Sequence, residues 1–153
     1  MGFWFPAYSA GFYAPVPSNI PPGMIFYAEA LCVVSAIEFI CDRTQRRKIL
    51  IRTDNQNTVD IFASLRCLPE YNPFLTYAID RLLSNEQDFR VIHIPGVDNV
   101  IADAISRYDI HRALDVEPEL KLYFFTPPTI FLPADHASTS TASQPAPSEA
   151  TTR

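Results

Sequence analysis

An alternation of short apolar runs with longer helical repeats is the feature that most constrains what this chain can fold into. Two aromatic runs, at residues 2–6 and 10–16, predict a β-hairpin whose strands are both largely buried. Further apolar runs predict strands over about 49–54 and 88–94. Helical periodicity and capping signals predict helices over about 28–42, 57–65, 73–83 and 97–107. The resulting order, strand, strand, helix, strand, helix, helix, strand, helix, predicts an α/β sandwich with a mixed sheet.

Length and composition favour a single packed domain. The chain has 153 residues, of which 48% are hydrophobic, so a core can extend over most of it and wholesale disorder is excluded. From Thr126 onward the sequence becomes rich in Pro, Ser, Thr and Ala. We therefore predict one domain over residues 1–125, followed by a linker or disordered tail over residues 126–153.

Charge and cysteine content exclude several classes of protein. The 12 Lys and Arg against 17 Asp and Glu give a net charge of −5, so a general polybasic binder of nucleic acids or membrane surfaces is not expected. Three cysteines without a CxxC motif do not suit a zinc site or a disulfide framework.

The apolar residues 1–28 lack a basic segment and are interrupted by prolines, so neither a signal peptide nor a membrane span is predicted. An intracellular location, cytoplasmic or nuclear, is the expectation.

Three carboxylates and one histidine can carry chemistry, and each also has an ordinary structural explanation. Glu29, in an apolar helix start, suits the helix dipole. Asp54, at the end of a buried strand, suits a turn or a helix cap. Asp103 suits a solvent-facing helix position, with Asn99 one turn earlier on the same face. His93, at a strand end before Pro-Gly, suits a surface position.

Taken together, the three carboxylates indicate a site for divalent cations. Two helix acids and a strand-end acid can converge at one edge of a sheet, where ligands of open α/β sheets collect. Clustered carboxylates stay ionised when cations cancel their charge, and their oxygens suit Mg²⁺ or Mn²⁺. Paired ions of this kind drive hydrolysis of phosphodiesters by activating water and stabilising the leaving oxygen.

Two strings of this sequence resemble the type 1 ribonuclease H domain of retrotransposon polyproteins: IRTDNQNTV and the more specific HIPGVDNVIADAISR. The string FYAEALCVVSAIEF resembles the helix that carries the Glu of that family. YDIHRALDVEPELKLYFFTPP resembles the segment that follows the domain in some fungal elements, notably those of the DIRS type. The resemblance covers about residues 1–125 and implies a ribonuclease H-like three-layer sandwich with a mixed sheet and a shortened first strand.

The resemblance also implies a set of site residues and partners. It makes Glu29, Asp54 and Asp103 catalytic carboxylates that bind two Mg²⁺ or Mn²⁺ ions. His93 then corresponds to the catalytic His that aids proton transfer or product release, and Asn99 to a residue that shapes the site. The implied substrate is an RNA–DNA hybrid, whose RNA strand is recognised through its 2′-hydroxyl groups. A reverse transcriptase domain of the parent polyprotein is the implied partner.

One departure from the family leaves two functions open. The family has a further Asp on its first strand, whereas residues 1–28 contain no acid at all. The resemblance therefore implies an N-terminally truncated domain with impaired hydrolysis. One interpretation is a metal-dependent RNA–DNA hybrid endonuclease, and the other is a catalytically inactive nucleic-acid-binding module or relic of a transposable element. An integrase or recombinase core of the same fold is disfavoured, because such cores close their triad with Glu where this chain has Asp103.

Basic and aromatic side chains give weaker signals for nucleic-acid binding. A cationic stretch without acids follows the first helix and consists of Arg43, Arg46, Arg47, Lys48 and Arg52. These side chains can contact the phosphates of a hybrid, or they can belong to a solvated connector between helix and strand. The hairpin aromatics can stack on bases, but burial in the core is the expectation.

Overall fold

The computed structural model describes residues 1–20, 24–44 and 48–132. The strands in this part of the chain are β1 (Gly2–Phe5), β2 (Ala10–Tyr13), β3 (Lys48–Thr53), β4 (Asp88–His93) and β5 (Lys121–Phe124). The helices are α1 (Ile25–Arg43), α2 (Gln56–Ser64), α3 (Asn72–Ser84), α4 (Val100–Ser106) and α5 (Ile110–Val116). The predicted mixture of helices and strands is confirmed, and α5 and β5 are additions to it. None of the described helices is both long enough and apolar enough to cross a membrane.

A three-stranded mixed sheet begins with the predicted hairpin. β1 runs antiparallel to β2, with Phe3 opposite Phe12. A short 3-10 turn connects the two strands and ends at Ser9, whose φ of 42° places it in the left-handed region. β5 then adds to the other edge of β2 in parallel, with Tyr123 beside Phe12. The hairpin prediction is therefore confirmed, and the mixed character of the sheet comes from a strand near the end of the described chain.

The remaining strands form a separate two-stranded parallel sheet. β3 and β4 pair along their whole length, from Lys48 beside Asp88 to Thr53 beside His93. Within the described residues no hydrogen-bonded ladder joins this pair to β1, so the single mixed sheet that we predicted is divided into two.

A side chain meets the free edge of β1. Met1 and Ala14 exchange both backbone hydrogen bonds, so the alternation of an antiparallel ladder turns the polar groups of Gly2 away from β2. The Gly2 carbonyl instead accepts a hydrogen bond from Cys32 Sγ of α1, at 3.4 Å. Burial raises the pKa of the Cys32 thiol to about 11, so this thiol stays protonated and available as the donor. A side chain of α1 thus occupies a position at which a neighbouring strand would pair.

The main core lies between α1 and the inner faces of the sheets. The apolar repeat that predicted α1 is buried as expected, and its members are Leu31, Val34, Ile37 and Cys41. Phe39 of α1 packs against the hairpin, with ring centroids 4.3 Å from Phe12 and 5.6 Å from Phe5. The expectation that the hairpin aromatics are core residues is therefore confirmed for these side chains.

A second, smaller core lies on the opposite face of the three-stranded sheet. Ile105 of α4 is fully buried there, together with Ala113 of α5 and Leu120. A Cβ atom added at Gly2 would lie 2.7 Å from the backbone nitrogen of Ser106, so the absence of a side chain allows α4 to approach the strand closely. The three-stranded sheet therefore lies between α1 and α4, in three layers.

The predicted element boundaries need small corrections. α1 begins at Ile25, earlier than the predicted residue 28. α3 begins at Asn72, one residue before the predicted start, and the Asn72 side chain accepts a hydrogen bond from Cys67 Sγ at 3.1 Å. Phe131, beyond the predicted domain boundary at residue 125, is buried with its ring centroid 4.5 Å from that of Phe74. The rest of the linker or tail predicted over residues 126–153, namely residues 133–153, lies outside the described part of the chain.

Candidate functional site

The carboxyl end of β3 is where the predicted site residues meet. Asp54 directly follows this strand and is exposed. Asn55 then caps α2, because its side-chain Oδ1 accepts a hydrogen bond from the Thr58 backbone nitrogen at 3.0 Å. The backbone nitrogen of Ile94 donates to the Thr53 carbonyl at 2.9 Å, which keeps the loop after β4 beside the end of β3. The local sequence thus produces a turn that presents one acid to solvent and one amide to its neighbours.

Glu29 reaches this turn from α1. Its carboxylate accepts a hydrogen bond from Asn55 Nδ2, so the amide that caps α2 also connects α2 to α1. Burial raises the pKa of the half-buried Glu29 carboxyl, the bond from Asn55 partly offsets this, and the negative charge of Asp54 raises it further. Glu38 on the same helix instead accepts a hydrogen bond from Tyr77 of α3, as expected for an acid on the opposite side of the helix. The electrostatic influence of Asp54 on Glu29 marks these two carboxylates as neighbours.

Asn99 connects Asp54 to α4. Its Nδ2 donates to Asp54 Oδ1 at 3.1 Å, and its backbone carbonyl accepts from the Asp103 backbone nitrogen at 3.0 Å. Asn99 occupies the cap position of α4, and its side chain bonds to Asp54 rather than to the helix. The same residue therefore begins the helix that carries Asp103 and fixes the orientation of Asp54.

Both carboxylate oxygens of Asp103 are engaged by arginines. Arg107 Nε donates to Oδ1 at 2.7 Å, and Arg112 of α5 donates to Oδ2 at 3.0 Å. The hydrogen bond from Arg107 is the main cause that lowers the pKa of Asp103, and Arg112 acts in the same direction against the effect of burial. The bond to Asp103, together with the charge of Asp54, raises the pKa of the exposed Arg107 guanidinium. In this arrangement two guanidinium groups cancel the charge of the third predicted carboxylate.

The structure therefore places the predicted residues around one strand end, although it does not join their carboxylates directly. Glu29 bonds to Asn55, which follows Asp54, and Asp54 bonds to Asn99. Asn99 begins the helix that carries Asp103, whose carboxylate bonds to arginines instead. The atoms that these residues could offer to a metal ion are carboxylate and amide oxygens, which suit a hard divalent cation such as Mg²⁺. Among residues 1–20, 24–44 and 48–132, no group of three or more His, Cys, Asp or Glu side chains is arranged to hold a metal ion as it stands. A cation bound by all three carboxylates would require Asp103 to exchange its arginine partners.

His93 does not bond to the other predicted site residues. It is exposed at the end of β4, and its side chain makes no hydrogen bond or ion pair with any residue that the structure describes. Its side chain lines a groove of about 500 Å³ between α2 and β4, together with Val59, Phe62, Leu65 and Phe89. The predicted catalytic role of His93 remains a prediction.

The predicted basic residues divide into different environments. Arg43 lies over the ring of Phe39, 3.7 Å from its centroid, so its guanidinium packs on the hairpin core. Lys48 and Arg52 are exposed on β3. Arg46 and Arg47 lie outside the described residues. The described members of the basic stretch therefore belong to two different elements, the end of α1 and the strand β3.

Three residues of the site were not predicted. Arg107 could have been found, because it follows Asp103 by one helical turn, the spacing of an ion pair within a helix. Asn55 could have been found as a helix cap, but its bond to Glu29 depends on how α1 packs. Arg112 belongs to α5, which the sequence did not predict, so no local signal connects it with Asp103.

Comparison with known proteins adds no relative. No protein-family model matches this chain, and no match was found among curated proteins or among solved structures.

Proposed function

We propose that this chain is a ribonuclease H-like module derived from a retrotransposon polyprotein, which binds RNA–DNA hybrid and whose hydrolytic activity is impaired. The observation that supports this most is the arrangement at the carboxyl end of β3, where Asp54 bonds to Asn99 at the start of the helix that carries Asp103, and Glu29 bonds to the neighbouring Asn55. Those residues are the ones that the resemblance assigns to the site of that family. In the parent polyprotein, the neighbouring partner proposed for this module is a reverse transcriptase domain.

The arrangement of layers supports the ribonuclease H-like part of the proposal. The three-stranded mixed sheet has α1 on one face and α4 on the other. The parallel pair of β3 and β4 shares its core with the same α1. An α/β sandwich with a site at strand ends is the arrangement expected of the proposed fold.

The proposed metal ligands are Glu29, Asp54 and Asp103, with Mg²⁺ or Mn²⁺ as the ions. When bound, two such ions activate water and stabilise the leaving oxygen of a phosphodiester. Asn55 orients the Glu29 carboxylate, and Asn99 orients that of Asp54. Because Glu29 and Asp54 are neighbours of like charge, a cation between them would relieve their mutual repulsion.

Two observations favour the catalytically inactive alternative. Both oxygens of Asp103 accept hydrogen bonds from arginines, so this carboxylate is satisfied without a metal. β1 and its flanking residues contain no acid, since none occurs in residues 1–28. A module with these properties would keep the fold and the nucleic-acid contacts while hydrolysing slowly or not at all.

Cleavage of an end-labelled RNA–DNA hybrid in Mg²⁺ or Mn²⁺ tests the proposal. The wild-type chain is compared with Asp103→Asn and with Asp115→Asn, a matched loss of an exposed acid on α5. Weak cleavage that Asp103→Asn abolishes and Asp115→Asn leaves unchanged would support an impaired enzyme. No cleavage above the Asp103→Asn background, with binding of the hybrid by a folded protein, would support the inactive alternative. A folded chain that neither cleaves nor binds the hybrid would overturn both.

A metal titration separates the role of the arginines from that of the carboxylates. We expect the double variant Arg107→Ala/Arg112→Ala to bind Mn²⁺ more tightly than wild type, because Asp103 then lacks its cationic partners. Arg66→Ala removes an exposed cation elsewhere and serves as the control. Binding followed by the electron paramagnetic resonance of free Mn²⁺ measures the difference. Equal Mn²⁺ affinity in all three proteins would show that the two arginines do not prevent the Asp103 carboxylate from binding the metal ion.

A further inference from the structure

The two faces of the two-stranded sheet differ in what covers them. Inner side chains such as Ile49, Ile51 and Val91 belong to the main core. The outer side chains of β3, Lys48, Leu50 and Arg52, are all exposed. Parallel strands are usually covered on both faces, so an exposed outer face is the feature to explain.

The layer formed by α4 does not extend over this face. Ile105 of α4 lies against the positions of Gly2 and Gly11, which belong to the three-stranded sheet. No comparable contact buries Leu50, which is 52% exposed in the middle of β3. The outer face of the two-stranded sheet is therefore accessible beside α4.

Three cations lie on this accessible face. Alternation along β3 places Lys48 and Arg52 on the same side, and the register places Arg90 of β4 beside Leu50. Strand geometry sets Lys48 and Arg52 about 13 Å apart, with Arg90 between them on a strand about 4.8 Å away. None of the three cations forms an ion pair with any residue that the structure describes. Their charges are therefore available to an external partner.

We propose that this outer sheet face, formed by Lys48, Leu50, Arg52, Asp88, Arg90 and Ile92, binds the sugar–phosphate backbone of a nucleic-acid strand. The face carries one acid, Asp88, which the register places beside Lys48. Charge complementarity carries the proposal, because the three cations outnumber this acid on a chain whose net charge is −5. The apolar Leu50 and Ile92 lie among the cations and suit contact with sugars. The inference rests on the proposed function in one respect, since it names the surface that would hold the substrate of that site.

The position of the face relative to the carboxylates supports a nucleic acid over an acidic protein. Asp54 directly follows β3, two positions after Arg52, and Asn99 holds its carboxylate. A nucleic-acid backbone lying along β3 from Lys48 to Arg52 would therefore lead to the end of the strand that Asp54 follows.

Fluorescence anisotropy with a labelled RNA–DNA hybrid, in EDTA, tests the face without involving metals or cleavage. The double variant Arg52→Gln/Arg90→Gln is compared with Arg66→Gln/Lys121→Gln, which makes the same change in charge at exposed positions elsewhere. We expect the first variant to weaken binding about 10- to 100-fold and the control to stay within about twofold of wild type. The slope of log affinity against log salt should fall by about 2 in the first variant alone.

Three results would overturn the proposal. Equal weakening by both double variants would mean that only the net charge matters, and no weakening by either would mean that the face is not used. Displacement of the hybrid by polyglutamate at equal charge concentration would assign the face to acidic proteins instead. Circular dichroism melting of both variants shows that each is folded before binding is compared.

The outcome is separable from that of the proposed function. Loss of binding in Arg52→Gln/Arg90→Gln, in a chain that shows no cleavage, would establish the face and leave the hydrolytic function unsupported. Cleavage that depends on Asp103, with binding unaffected by Arg52→Gln/Arg90→Gln, would support the site and reject the face.

Discussion

Asn99 Nδ2 lies 3.1 Å from Asp54 Oδ1, and this hydrogen bond connects the start of α4 to the end of β3. It is one of the few direct contacts between the element that carries Asp103 and the element that presents Asp54. The two sheets share no strand ladder within the described residues, so this bond is a direct contact between α4, which packs on the three-stranded sheet, and the end of the separate strand pair. The relationship can be measured as a coupling energy.

A double-mutant cycle of Asn99→Ala and Asp54→Ala tests this bond. We expect each single variant to lower the free energy of unfolding, and the coupling between them to be about 0.5–1.5 kcal/mol, since the bond joins an amide to a carboxylate near the surface. Urea unfolding of the four proteins provides the values. Asn57→Ala, at an exposed position of α2, is the control and should show no coupling with Asp54→Ala. Additive effects of the Asn99 and Asp54 substitutions would contradict the proposed connection.

Glu29 should make the stability of the chain fall as pH rises. Burial raises the pKa of Glu29 in the folded state, so the folded chain binds this proton more tightly than the unfolded chain. Stability from this group is therefore full below the ordinary carboxyl pKa and declines as pH rises through the raised value. We expect Glu29→Gln, which keeps an oxygen for Asn55, to become increasingly more stable than wild type between about pH 4 and about pH 7.

Urea unfolding in EDTA across that range measures the Glu29 effect. Glu119→Gln, an exposed acid in the loop before β5, provides the comparison. A stability difference between Glu29→Gln and wild type that does not vary with pH would show that folding does not raise the pKa of the Glu29 carboxyl.

Gly2 and Gly96 should respond differently to the addition of a methyl group. A Cβ at Gly2 would lie 2.7 Å from the Ser106 backbone nitrogen, which cannot move aside without shifting α4. At Gly96 the nearest atom is Asp54 Oδ2 at 3.5 Å, an ordinary contact. We expect Gly2→Ala to lower the free energy of unfolding by about 1–3 kcal/mol and Gly96→Ala to change it by less than about 0.5 kcal/mol. Thermal or urea unfolding of the two variants decides, and equal effects would contradict the close approach of α4 to β1.

The elements that could be predicted from sequence are those whose apolar pattern is local. α1 shows a helical repeat because Leu31, Val34 and Ile37 all face one core. β3 was predicted as a buried strand from the continuous apolar run Ile49, Leu50 and Ile51, and the strand is confirmed although only one of its faces is buried. Both signals are local in the sequence, so they are visible without knowing the partner element.

The elements that escaped prediction depend on distant partners. α5 buries only Ala113, too little to produce a periodic pattern. β5 lies beside β2, and this pairing joins residues that are far apart in the sequence, such as Lys121 and Ala10. The division into two sheets also depends on tertiary packing, which brings the Cys32 side chain to the free edge of β1. In the site, the carboxylates followed from strand and helix ends, whereas the Arg112 contact required α5 to fold back onto α4.

The Asp103 cluster should stabilise the chain only while its carboxylate is ionised. The hydrogen bonds from Arg107 and Arg112 lower the pKa of Asp103, so the folded chain binds this proton more weakly than the unfolded chain. The stabilisation is then present above the ordinary pKa of the carboxyl and is lost as pH falls through the lowered value. We expect Asp103→Asn to be less stable than wild type at neutral pH, with the difference closing in acid.

Salt gives an independent check on the same carboxylate. Arg107 and Arg112 are exposed, so about 1 M NaCl should reduce the difference between wild type and Asp103→Asn at neutral pH. Urea unfolding of both proteins in EDTA, at low and high salt and along a pH series, measures both effects. Asp115→Asn, on the exposed side of α5, is expected to show neither dependence. A deficit of Asp103→Asn that persists unchanged in acid and in high salt would mean that Asp103 acts through packing, not through its arginine partners.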